Sequence, residues 1–282
     1  MSQDYGFDAV RQAAHPAVRE EWTPHLKFLR ERWLWLIVME AQADLGVAIP
    51  AEALKAYRKV VEYGDGIDLD SIRRRELVTH HDVKARLEEF NALAGYQYAH
   101  LGMTGRDLDD NVELSQQKRS LELLSDRAAE LGQPAISADL GRLATRVPFR
   151  GIVGAVGTGQ DQLDLLGGDM RAFNELNDRV QRQLGFSPGS RLDSVGQVYP
   201  RSLDYLMASS LTATMAALPA PPKSPQRTSP YPVIARGFVS MLAELSGDQW
   251  AEGDVSCSSV RRVALEGVFM CASARLEQLK GV

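Results

Sequence analysis

The sequence predicts an all-helical protein. Three observations carry that expectation. Apolar residues recur at helical spacing through most of the 282 residues. Glycine and proline signals fall at the ends of those periodic stretches. No stretch alternates apolar and polar residues over strand length.

The elements follow in order. From Leu26 to Leu45, residues Leu29, Trp33, Leu36, Ile37 and Ala41 share one helical face, and Gly46 is a stop signal. Pro50 opens a second helix with Leu54, Tyr57, Val60 and Val61 on one face, ended by Gly64-Asp65-Gly66. A short charged piece covers 68–77. Asp82 to Ala94 carries Val83, Leu87, Phe90 and Ala94 at helical spacing, and Gly95 stops it. Thr104-Gly105-Arg106-Asp107 fits the broad capping-box pattern. Leu108, Val112 and Ser115 continue that helix toward Glu130. Further helices are expected at 169–185, 203–218, 233–246 and 259–279. Residues 219–232, PAPPKSPQRTSPYP, hold six of the chain's 13 prolines and read as a loop or linker. The expected organisation is an N-terminal helical domain over 1–100 and a central helical bundle over 101–282.

Composition narrows the function classes. The chain is 44% hydrophobic and 24% charged, as in ordinary globular proteins. A formal net charge of −5 gives no basic footprint, so nucleic-acid binding is not expected. The longest solid apolar run, Trp33 to Met39, is far too short to span a bilayer. The stretch MSQDYGFDAVRQ lacks a basic segment followed by an apolar block, so no secretory signal is expected. The two cysteines, Cys257 and Cys271, are not spaced as a metal pair. A reduced, cytoplasmic setting is the simplest reading. The five histidines are His15, His25, His80, His81 and His100, so histidine chemistry must come from the first third of the chain.

Several segments could carry chemistry. In Thr79-His80-His81-Asp82, two imidazoles and a carboxylate precede a helix. They suit a general acid or substrate clamp, and equally an Asp or Thr cap beside exposed histidines. No second ligand cluster suggests a metal. In GMTGRDLDDNVE (102–113), glycines at a helix start could hold a carboxylate or phosphate, or simply cap the helix. GIVGAVGTGQ (151–160) lacks both the dinucleotide glycine order and the Walker lysine. Gln197, Tyr199 and Arg201 cluster at another helix start. Ser256, Ser258, Ser259, Arg261 and Arg262 cluster at a third. Serine and arginine there suit an anion, or a capped loop with an ion pair.

Taken together, these segments resemble the adenylosuccinate lyase family of the fumarase/aspartase superfamily. Thr79-His80-His81-Asp82-Val83 is similar to its T-x-H-D-V stretch, and Gly102 to Asp107 to its G-M-T-S-R-D. Pro148-Phe149-Arg150-Gly151 through Thr158, Gln197 to Arg201, and Gly247 to Arg262 follow in the family's order. The resemblance implies a fumarase/aspartase-type helical bundle, here truncated, with a small N-terminal helical region. It implies a homotetramer that eliminates fumarate from a small N-succinyl substrate, as in purine synthesis, without a metal or other cofactor. Residue by residue, it makes His80 and His81 catalytic candidates. It makes Tyr5, Asp82, Thr104, Gly105 and Gln197 substrate contacts, with Ser258 and Arg262 at the phosphate end.

The sequence also departs from that pattern. Gly105 stands where the family has serine, and Asp4 precedes Tyr5 where it has arginine. The family's T-H-x-x-x-A stretch, with its general-acid histidine, is shortened to Leu131-Gly132-Gln133-Pro134-Ala135. Its mobile serine loop is replaced by the proline-rich segment, and the chain stops at Val282, short of the family's C-terminal helical domain. A catalytically silent oligomerising or binding protein is therefore the competing expectation.

Overall fold

The computed structural model describes residues 6–63, 66–196, 198–221, 228–246 and 256–280. The described chain is helical. No strand is present among the described residues, only a single parallel bridge between Phe149 and Arg191. The helices are α1 (Phe7–Ala13), α2 (Pro16–Glu21), α3 (Pro24–Asp44), α4 (Ala51–Glu62), α5 (Leu69–Thr79), α6 (Asp82–Ala94) and α7 (Gly105–Glu130). They continue as α8 (Pro134–Arg146), α9 (Gln160–Leu165), α10 (Met170–Gln183), α11 (Ser202–Ala216), α12 (Tyr231–Glu244) and α13 (Ser256–Glu277).

Two compact units emerge, each built from separated stretches. The first combines 1–23, 116–147 and 200–282. The second combines 24–115 and 148–199. A division at residue 100 into N-terminal and central domains remains a proposal.

In the first unit, α13 packs against α1, α2, α11 and α12. Trp22 stacks on Phe269 with centroids 5.2 Å apart, and its indole N–H donates to Ser120 Oγ at 3.0 Å. A β-carbon at Gly267 would meet the Phe238 ring at 2.5 Å, so glycine lets α12 lie close on α13. Buried Arg261 pairs with Asp204 at 2.6 Å, and Gln117 donates to the same carboxylate at 3.1 Å. The Arg275 guanidinium donates to the Leu218 carbonyl at 3.0 Å and to Pro219, capping the end of α11.

In the second unit, α3 is the core. Leu34, Trp35, Leu36, Ile37, Val38 and Met39 are all buried, so this stretch of the helix is covered nearly all round, with Glu31, Arg32 and Gln42 buried as polar positions beside it. The face read from the sequence was therefore misplaced at Trp33, which is exposed. Trp35 stacks on Phe90, and Tyr57 tilts against the same ring. The Tyr57 hydroxyl donates to Asn91 Oδ1 at 2.6 Å and accepts from Tyr98 N–H at 3.0 Å.

Four helices fall where the sequence carried no expectation, and α5 covers the stretch read only as a short charged piece. Helices α1, α2 and α9 are too short for periodicity to mark them. The fourth, α8, opens with Pro134 at its first turn and buries Ile136, Leu140 and Ala144. The proline-rich segment also ends earlier than expected. Pro230 is the N-cap of α12 and Pro232 lies in its first turn, where a missing N–H costs nothing.

Candidate functional site

The second unit gathers His81, Thr104 and Gly105. His81 is the N-cap of α6, and its Nδ1 accepts from Lys84 N–H at 3.3 Å. The cap is thus the histidine itself, rather than the expected threonine or aspartate. With Nδ1 accepting, a neutral His81 carries its proton on Nε2 and can donate it. The Asp82 carboxylate lies 3.7 Å from Nδ1. His80 ends α5 in the left-handed region at φ 51° and is exposed.

Gly105 opens α7 beside this imidazole. A β-carbon there would lie 3.4 Å from Val83 Cγ2 and 4.0 Å from His81 Cε1. The helix start therefore faces the histidine across a gap that one small side chain would fill. The first amides of any helix have no intrahelical acceptor and carry partial positive charge, which suits an anion.

A buried hub shapes this helix start. The Asp107 side chain reaches back and accepts from Thr104 N–H at 2.9 Å, half of the expected capping box. It also accepts from Val153 N–H at 3.0 Å and Gly154 N–H at 3.1 Å, and pairs with Arg150. Burial holds the Asp107 carboxyl above the usual aspartate value, and Arg150 and these N–H groups offset only part of that rise. Arg150 also donates to the Gly154 carbonyl at 3.1 Å. Asn111 accepts from Arg150 N–H at 2.9 Å and donates to the Gly151 carbonyl at 3.0 Å. The glycine-rich loop is thereby locked to the first turns of α7. Two glutamines pin the other side, since Gln42 and Gln162 both donate to the Leu101 carbonyl at 2.9 Å.

His100 belongs to the same cluster and was missed by the sequence reading. Its φ of 76° is left-handed, a strained choice for a histidine. Trp35 donates its indole N–H to His100 Nδ1 at 2.9 Å. Burial, with help from the charge of His81, pushes its pKa down to about 4. His100 is therefore neutral near pH 7, with its proton on Nε2. No local motif announces this, because the burial and the Trp35 contact arise only on folding.

A depressed histidine stabilises the fold fully above its ordinary value of 6.5, and that contribution is lost as pH falls through about 4. His100→Asn keeps an acceptor for Trp35 and tolerates positive φ. Urea unfolding from pH 7 to pH 4 is expected to show a shallower acid loss for this variant. Equal slopes would remove His100 as a source of acid sensitivity.

The remaining predicted residues divide. Tyr5 and Gln197 lie outside the described residues. In the first unit, Ser258 is buried and Arg262 half-buried in the opening turns of α13. Among the described residues, no cluster of His, Cys, Asp or Glu is placed to hold a metal ion. No described helix is long and apolar enough to cross a membrane.

No protein-family profile matches the chain. Adenylosuccinate lyase of Schistosoma mansoni is 26% identical over 330 residues, covering 90% of this chain and 67% of that protein. The Saccharomyces cerevisiae adenylosuccinate lyase is 24% identical over 332 residues, covering 91% and 68%. These alignments are longer than the chain, so the relatives carry internal segments absent here. Among solved structures, the beta-carboxy-cis,cis-muconate cycloisomerase of Acinetobacter calcoaceticus superposes with a TM-score of 0.74 at 14% identity, covering 94% of this chain and 74% of that one. A fumarate lyase from Mesorhizobium superposes at 0.65 with 18% identity, covering 95% and 74%. The fold is that of these helical proteins, and the sequence relatives share one name. Over about 90% of its length the chain is thus similar to proteins named adenylosuccinate lyase, at 24–26% identity, and it spans about two thirds of their length.

Proposed function

We propose that the chain is a carbon–nitrogen lyase that eliminates fumarate from a small N-succinyl substrate. The observation that carries this reading is His81 beside the N-terminus of α7, with only a small gap above Gly105 between them. Elimination passes a proton from the carbon beside the carboxylate to a base, gives one from an acid to the leaving nitrogen, and needs a cradle for the carboxylate that accumulates charge. His81 Nε2 can supply the proton. The opening amides of α7 and the Thr104 hydroxyl can hold the carboxylate. The Asp107–Arg150 hub keeps that helix start and the glycine-rich loop preorganised.

The test is direct. Purified protein is incubated with adenylosuccinate and with simpler N-succinyl amines, and fumarate is followed. Release from at least one of them is expected, and none from any would sink the lyase reading. His81→Gln should lower kcat about 100-fold, within the usual range for a general acid. An unchanged rate would remove His81 from the chemistry.

A second reading, a silent binding or oligomerising protein, is favoured by one observation. Helix α8 occupies the stretch after α7 and contains no histidine to stand for the family's general acid. Under this reading, succinate raises the melting temperature while no substrate is turned over.

A further inference from the structure

A buried charge cluster underlies the start of α6. The Arg86 guanidinium meets three carboxylates from three helices, one through each nitrogen. Its Nε lies 2.6 Å from Glu31 of α3, its Nη1 3.4 Å from Asp82 of α6, and its Nη2 3.1 Å from Asp109 of α7. Its flat face covers the Phe28 ring at 5.1 Å. Lys27 adds a second cation, 3.8 Å from Asp109 and 2.9 Å from Glu113. Four carboxylates thus share two cations, with Glu31 and Arg86 both buried. Asp82 connects this cluster to the His81 ring.

We propose that Arg86 is a positioning residue for the His81–Asp82 turn, and that Glu31 beneath it makes that turn respond to pH. An arginine fork fixes direction as well as charge, which a lysine cannot reproduce. With Arg86 on Asp82, the aspartate is partly neutralised and acts weakly on His81. When Glu31 ionises, it competes for the same guanidinium. Asp82 is then released to act on His81 and favours the imidazolium. Burial pushes Glu31 up to about 7, against the pull of Arg86 and Lys27 and with the push of Asp109 and Asp82. Neither of its oxygens has a hydrogen-bond partner, only the ion-pair contact of Oε2 with Arg86, so the ionised form is poorly solvated. The changeover falls near neutral pH. Its bearing on catalysis rests on the proposed lyase activity, whereas the coupling to His81 does not.

The test reads His81 directly. Proteins carrying ¹³C-labelled histidine are titrated by NMR, with His81→Gln assigning the signal. Glu31→Gln removes the competitor, so the His81 midpoint should fall, by about 0.5 unit. Arg86→Gln exposes Asp82, so the midpoint should rise by a similar amount, and Arg86→Lys should partly restore it. Charge deletion alone gives these signs too, so the deciding result is that Glu31→Gln no longer moves the midpoint once Arg86 is already Gln or Lys. Shifts of the same sign, no shift in the folded Glu31→Gln protein, or an undiminished Glu31→Gln shift in those Arg86 variants would overturn the proposal. If Arg86→Gln does not fold, the Arg86→Lys protein with and without Glu31→Gln still decides it. Absence of fumarate release would leave these midpoints unchanged and count only against the lyase reading.

Discussion

Arg150→Ala should lower the free energy of unfolding by about 3–5 kcal/mol, the usual loss when one partner of a buried ion pair is removed. Arg150 and Asp107 are both wholly buried. Without the guanidinium, Asp107 would retain only N–H donors from Thr104, Val153 and Gly154. Asp107→Ala should cost a similar amount, because it strands those three amides and takes the closer carboxylate from Arg150, leaving it Asp110 at 3.6 Å. The double variant should lose much less than the sum of the two, since each single change already breaks the same pair. Urea unfolding of the four proteins measures this coupling. Strict additivity, or single losses under about 1 kcal/mol, would show that the hub does not hold this loop and helix together.

Gly157→Ala and Gly105→Ala should differ sharply. At Gly157 φ is +73° and a β-carbon would sit 1.8 Å from the Val195 carbonyl oxygen. Both the left-handed backbone and the contact penalise a side chain, together about 3 kcal/mol. At Gly105 the nearest atom would be 3.4 Å away, an ordinary contact. Gly105→Ala should therefore be neutral or stabilising, by up to about 1 kcal/mol, as helix propensity favours alanine. Gly105→Ser should fold equally well and return a hydroxyl beside His81. Thermal unfolding separates the two positions. Equal losses at both would mean that Gly105 is required by the backbone, rather than left free for a ligand.

Some of this was legible in the sequence. The period of Val83, Phe90 and Ala94 gave α6, because that helix has one buried face and one wet face. In α3 the same reasoning misjudged Trp33, since a helix buried nearly all round has no wet face to orient it. Helix α8 could have been found from Ile136, Leu140 and Ala144 at four-residue spacing, once Pro134 was read as a first-turn residue. In the candidate site, His81 and Gly105 were legible because each lies in a recognisable short motif. Arg150 and Asp107 each lay in a short motif, but their pairing was not legible, for it spans 43 residues of chain. Glu31 lies in no motif, and its burial against Arg86 arises only on folding.

The chain's order of synthesis gives one contact a different weight. The backbone N–H of His15 is satisfied by Ser273 Oγ at 2.8 Å, a separation of 258 residues. The helices on either side, α1 and α2, pack on α13. On a ribosome adding about 5–20 residues per second, they would wait roughly 13–50 seconds for that partner. During that interval their apolar faces, including Val10, Ala14 and Val18, have no native surface to cover. Folding yield should therefore depend on how fast translation reaches α13, and on whether a holding chaperone shields the first twenty or so residues until it does.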